Sequence, residues 1–208
     1  MTDVVERILQ FNAGREPERL KLKFQAMRRS AVAFLRGTAH LYWQDWSSAH
    51  ASLNDSPLVW ATGDLHLENV GSFLGDNRLV YFDLNDFDES ALAPATWEAS
   101  RFLTSVHVGA ASLELSASDA SHLASAFLDA YVEALRDGKA RWVERATATG
   151  LVKDLLAGVG GRTREALLDS RTLIRRGRRT LRIDGKRALP VGRSERQHVT
   201  EALLRFAR

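Results

Sequence analysis

The sequence predicts an α+β chain that is mostly helical and carries a small β-hairpin. Three observations lead there. Apolar residues recur at helical spacing before residue 50 and again between 96 and 135, while short β-type runs gather between 58 and 82. The 208 residues, 45% apolar and 26% charged, suit a globular chain able to bury a core.

Taken in order, Val4, Val5, Ile8, Leu9 and Phe11 form a helical stripe behind a Thr2 cap, and "NAGRE" interrupts it. Pro17 suits a first helical position and opens a second helix with Leu20, Phe24 and Met27 on one stripe, which leaves Lys21 and Lys23 as solvated positions. Ser30 caps a third helix, "AVAFLRGTAHLYWQDW", which is apolar nearly all round and expected to be buried, with Gly37 allowing a close backbone approach. After the loop "SSAHASLNDSP", Leu58 to Thr62 reads as a short buried strand running into Gly63 and Asp64.

Val70 to Leu74 and Arg78 to Phe82 flank Gly75, Asp76 and Asn77, three residues that tolerate left-handed turn conformations, so a hairpin is expected. The period then becomes helical. Thr96 is placed to cap a helix carrying Ala99, Phe102, Leu103, Val106, Ala110 and Leu113. Ser118 is placed to cap another carrying Leu123, Phe127, Tyr131 and Leu135, with Gly138 at its end. Past Gly150 the chain is partly helical and Arg-rich, and "RTLRIDGKRALPV" reads as two short strands about an Asp184-Gly185 turn. The organisation expected is a helical domain over 1–150 and a basic extension over 151–208.

Composition narrows the chemistry. The absence of cysteine removes disulfides and thiolate metal sites and suits a reducing, cytoplasmic setting. No stretch reaches the roughly 18 apolar residues of a spanning helix, so no membrane role is expected. Residues 162–208 hold fourteen Lys or Arg against five Asp or Glu, an excess of nine; with +3 for the whole chain, residues 1–161 carry −6. The arginines from Arg171 to Arg182 lie in no recognisable reader fold, so nucleic acid is not an expected partner. His40, His107 and His122 lie on helical patterns and take no functional role.

Chemistry concentrates in "ATGDLHLENVGSFLGDNRLVYFDLNDFDES", residues 61–90, where ten acidic or carboxamide side chains and a histidine interleave with strands. Magnesium-dependent phosphoryl transfer needs hard oxygen ligands and a carboxylate beside the acceptor hydroxyl, because positioning and charge neutralisation supply most of the rate. Asp64 is the candidate for the acceptor hydroxyl, and Asn69, Asp83 and Asp86 are the candidate metal ligands, Asp83 foremost. His66, Glu68 and Arg36 are supporting residues: His66 bracing the loop, Arg36 bracing the acidic side chains by a charge-assisted bond.

"TGDLHLEN" resembles the catalytic loop of aminoglycoside and choline kinase-like phosphotransferases, and "LVYFDLND" resembles their metal-binding strand end, with a matching fourteen-residue gap from Asn69 to Asp83. Thr62 stands where that loop has a histidine, and Trp97-Glu98 resembles an aromatic-Asp pair with Glu in place of Asp. More closely, "FLRGTAHLYWQDW", "GDLHLENVGSF" and "GDNRLVYFDLNDFDESALAPATWEASRFLTS" resemble the bacterial domain-of-unknown-function 2252 family.

The resemblance implies the larger, catalytic lobe of a protein-kinase-like fold, with Mg²⁺ and ATP as cofactors and a small-molecule alcohol as acceptor. No glycine-rich nucleotide-gripping segment precedes the catalytic loop. The family implies that a glycine-containing segment and a lysine follow beyond a point like Arg208, so the chain is expected to be truncated and weak or inactive in ATP turnover alone. Two other readings stay open: a metal-dependent hydrolase using Asp64, His66, Asp83 and Asp86, and a non-catalytic binding module using the basic segment.

Overall fold

The computed structural model describes residues 3–49, 51–159, 161–185 and 187–207. The chain is α+β, with helices dominant and, among the described residues, three small antiparallel sheets. It divides into two compact units, Met1–Leu156 and Ala157–Arg208.

In the first unit, α1 (Val4–Phe11) is capped by Asp3, whose carboxylate accepts from the Val5 N–H; Thr2 lies outside the described residues. Helix α2 (Pro17–Arg29) starts on the expected proline, and the Glu16 side chain accepts from two backbone N–H groups of its first turn. The third predicted helix is two. α3 (Ala31–Gly37), capped by Ser30, stops at Thr38, and α4 (Ala39–Ala49) begins beyond it. Thr38 turns the chain because its hydroxyl donates back to the Phe34 carbonyl at 2.7 Å, taking the place of a continuing helical bond. Nor is this segment buried all round: burial is concentrated at the junction, in Thr38, Ala39, His40 and Leu41, while Phe34 stays 42% exposed.

Gly37 does allow close packing. A Cβ there would meet the Met27 sulfur at 2.8 Å, so α2 and α3 touch where the side chain is missing. Ile8, Met27 and Leu41, with Phe24 beside them, join α1, α2 and α4 in one apolar cluster.

Strand β1 (Leu58–Ala61) is not buried as its composition suggested. Leu58 and Trp60 are 66% and 74% exposed, and only Ala61 is covered. Its partner is a strand the sequence pattern did not mark, β4 (Ala91–Pro94), with Ala61 opposite Ala91. Between them lies the hairpin of β2 (Val70–Leu74) and β3 (Val80–Leu84), with Val70 opposite Leu84. The second strand starts two residues later than expected because Arg78 takes up the left-handed conformation, φ 66°, and the turn runs through Leu79. A short β5 (Val143–Glu144) extends this sheet at β3.

Helix α5 (Ala95–Ser112) begins one residue before Thr96, which does not cap it; the Thr96 hydroxyl donates to the Leu53 carbonyl and its N–H to Ser56, tying the helix start to the preceding loop. α6 (Ala117–Asp137) is capped by Ser116 rather than Ser118, in a reciprocal capping box with Asp119, and ends at Gly138 with φ 63°. α7 (Gly150–Val159) follows.

In the second unit, α8 (Arg164–Arg171) leads into the hairpin of β6 (Thr172–Arg175) and β7 (Arg178–Leu181). The hairpin turns at Arg176-Gly177, both at positive φ, and not at Asp184-Gly185. Asp184 instead accepts from the Arg187 and Ala188 N–H groups in a separate turn. Part of the arginine charge is matched internally, since Arg179 reaches Asp169 at 2.7 Å. α9 (Arg193–Phe206) completes the unit. Among the described residues no helix is long and apolar enough to cross a membrane.

His40 is stacked on Phe11 at 3.9 Å with both ring nitrogens buried and without hydrogen-bond partners. Burial first, then the charges of Lys23, Arg7 and Arg15, hold its pKa below the ordinary 6.5. The unfolded chain therefore binds a proton that the folded imidazole refuses, so this contribution to stability is present above pH 6.5 and lost as pH falls through that value. Thermal melts from about pH 7.5 to about pH 5.5 are expected to show a falling midpoint, with a shallower fall in His40→Phe, which keeps the stack and removes the titration.

Candidate functional site

Both strand pairs are formed between the same two stretches of chain, 58–74 and 80–94. The loop from Thr62 to Asn69 thus faces the loop from Asn85 to Ser90, and an antiparallel ladder closes each end. At one end, Asn85 N–H donates to the Asn69 carbonyl at 2.6 Å, and Asn69 Nδ2 returns a 3.3 Å bond to the Asn85 carbonyl. At the other, Gly63 has φ +92°, and a Cβ on it would lie 2.2 Å from the Glu89 carbonyl oxygen. Only glycine lets the two loops approach this closely.

Helix α5 supports the first loop with a polar stripe. Glu98 accepts from both the backbone N–H and the hydroxyl of buried Thr62. Arg101, 1% exposed, donates through Nε and Nη2 to Asp64 Oδ1 and through Nη2 to the Leu35 carbonyl, with its guanidinium 5.0 Å from the Tyr42 ring centre. Ser105 Oγ accepts from Leu67 N–H, and Gly109 leaves room for the Leu67 side chain. Positions 98, 101, 105 and 109 fall at helical spacing on one face. The apolar pattern of α5 hides this stripe, although Glu98, Arg101 and Ser105 stand in the sequence at intervals of three and four.

The loops enclose a cavity of about 330 Å³ whose lining includes Asp64, Asn69, Asp86, Asp88 and Glu89, with Lys23 and Arg36 also in its wall. Four sequence candidates are thereby brought together: Asp64, Asn69, Asp86 and Arg36. Asp83 is not. It sits inside the hairpin opposite Gly71, exposed, with its carboxylate accepting from its own neighbour Leu84 N–H. The ladder ends at Leu84, so the residues released toward the cavity are those beyond it, and Asp86 leaves the strand in a left-handed conformation, φ 67°. An L-residue held there is uncommon and marks a constrained position.

Asp64 keeps 19% exposure; Oδ1 is held by Arg101, while Oδ2 accepts no hydrogen bond among the described residues and lies 3.9 Å from His66 Nε2. His66 is buried, and its Nδ1 accepts from the Glu68 N–H at 3.0 Å. Burial outweighs the pull of Asp64 and lowers its pKa, so the neutral ring carries its proton on Nε2, toward Asp64. Glu68 pairs with Arg36 at 2.7 Å.

Lys23 departs from expectation. It is half-buried, lines the cavity and donates to Asn12 Oδ1 at 3.0 Å, and burial lowers its pKa. Its position on the polar side of α2 gives no sign of this, because the carboxylates that share the cavity with it lie forty and more positions away in the chain.

For a metal, the donor chemistry fits Mg²⁺. Asn69 is 3% exposed, and its Oδ1 is buried without a hydrogen-bond partner. A buried acceptor left empty costs about 1–3 kcal/mol, which a cation in the adjoining cavity would offset. Among the described residues no three His, Asp or Glu side chains form a metal cage.

The chain matches, over residues 15–208, the family described as "Uncharacterized protein conserved in bacteria (DUF2252)", and it belongs to that family. No curated protein and no solved structure matches it.

Gly63→Ala is expected to destabilise the chain by about 2–5 kcal/mol, the left-handed backbone and the overlap with Glu89 adding together. Gly14→Ala, at φ +78° with nothing within 4 Å, carries the backbone cost alone. Urea denaturation midpoints of the two variants would separate these contributions.

Proposed function

We propose that this chain, a member of that bacterial family, is a kinase-like phosphotransferase domain that moves a phosphoryl group from ATP to the hydroxyl of a small molecule. Asp64 orients the acceptor hydroxyl through Oδ2 and can take its proton, while Arg101 fixes the carboxylate by its other oxygen. Asn69 and Asp86 would hold Mg²⁺, which when bound neutralises phosphate charge and aligns the transferring group. The observation that carries this reading is that buried Asn69, whose Oδ1 has no hydrogen-bond partner among the described residues, lines the same cavity as Asp64 and Asp86.

The arrangement supports phosphoryl transfer better than hydrolysis by protein-held metals. The hydrolase reading needs Asp64, His66, Asp83 and Asp86 together. His66 has already used Nδ1 on the Glu68 N–H, and Asp83 does not line the cavity.

Calorimetric titration with the non-hydrolysable ATP analogue AMP-PNP tests the assignment. Binding is expected to need Mg²⁺, to weaken by about tenfold or more in Asn69→Ala and Asp86→Ala, and to survive Asp83→Ala, since each lost charged contact is worth about 1.5–3 kcal/mol. Affinity indifferent to Mg²⁺, or equal in all three variants, would sink the proposal.

A further inference from the structure

The cavity holds unlike charges apart. Asp86, Asp88 and Glu89 form no ion pair within 4.0 Å among the described residues, and neither does Lys23 on the helical side. A half-buried ammonium is ordinarily paired with a carboxylate. Here three carboxylates line the same space, and the pairing is still not made.

Two contacts hold the ammonium back. Asn12, 1% exposed at the end of α1, accepts from Lys23 Nζ through Oδ1, and its own amide is fixed by a 2.7 Å bond to the Ile8 carbonyl. The Phe11 ring lies 5.8 Å from Nζ on the same side. An ammonium has three donors, and Asn12 occupies one. Arg36, the other cation of the wall, is already bound to Glu68.

A ligand that suits such a space presents positive charge to the carboxylates and negative charge to the lysine. A divalent cation carried by a polyphosphate does both, because one phosphate can give some oxygens to the metal and another to an ammonium. A lone metal ion would leave Lys23 repelled, and a lone anion would face four carboxylates, Asp64 among them.

We propose that Lys23, positioned by Asn12, binds a phosphate group of the magnesium-nucleotide, so that helix α2 supplies a phosphate-gripping cation to this cavity. The proposal rests on the metal-and-phosphate reading of the cavity above and adds the anion side of it. A lysine serves here as a point charge, which asks for no fixed plane from the phosphate.

The probes are Mg²⁺-tripolyphosphate, followed by calorimetry, and Mn²⁺ alone, followed by its electron-spin signal. Lys23→Met removes charge and donor; Lys23→Gln removes the charge but can still donate to Asn12, so it keeps the test valid should the first variant fold poorly. Both are expected to weaken tripolyphosphate binding by about tenfold or more without weakening Mn²⁺ binding, and Asp86→Ala is expected to weaken both ligands. Tripolyphosphate binding by Lys23→Gln at the unsubstituted level would overturn the lysine assignment, as would an unsubstituted chain that binds Mn²⁺ but no tripolyphosphate. Loss of tripolyphosphate binding in Lys23→Gln alongside Mn²⁺ binding indifferent to Asp86→Ala supports the phosphate grip and removes the metal assignment instead.

Discussion

The register of one antiparallel ribbon governs this molecule. Strands β1 and β2 run out along residues 58–74, strands β3 and β4 return along 80–94, and the ladder is broken in the middle. Pairing on both sides of the break fixes the two loops at each end, so their side chains face one another across a short gap. A slip of one residue in either ladder would turn alternate side chains to the other face and scatter the carboxylates. Rigidity comes from strand pairing, while the polar side chains stay on loops free of the ladder's own hydrogen bonds.

The charged tie between the site and the core is a buried arginine. Arg101 is covered almost completely, and a buried guanidinium is tolerable only when its charge and donors are matched. Asp64 supplies the charge, Leu35 a carbonyl and Tyr42 an aromatic face. The dependence is mutual: without Asp64 the arginine is an uncompensated buried charge, and without Arg101 the carboxylate loses its orientation. Stability and site geometry are therefore coupled at this pair.

What was legible in the sequence was whatever local chemistry settles. Pro17 at a helix start, Gly138 at a helix end and the Val70–Leu74 strand follow from backbone preferences within a few residues. The close approach at Gly37 was legible because a glycine in a helix needs a reason. Features set by distant partners were not. Thr38 breaks a helix whose apolar pattern runs on, and β4, "ALAP", has little strand character apart from its pairing with β1. In the Arg-rich segment, Asp-Gly was the stronger turn signal, yet strand pairing favoured Arg176-Gly177. Asp83 and Asp86 stand three positions apart in one acidic stretch, and the sequence favours Asp83 as the ligand. Only the end of the ladder at Leu84 distinguishes the one held in the sheet from the one released beside Asn69.

His66 shows how bracing and chemistry divide within the loop. Its Nδ1 is used by a backbone N–H two residues on, which fixes the ring plane, and burial keeps the ring neutral. The remaining N–H faces the Asp64 oxygen that Arg101 does not hold, at a distance too long for a full hydrogen bond. Asp64 thus has one oxygen constrained from the core side and one lightly restrained on the cavity side. In the proposed phosphotransfer, a carboxylate so divided would meet the acceptor hydroxyl without breaking a strong bond first, and reorganisation of that kind is what a preorganised site avoids.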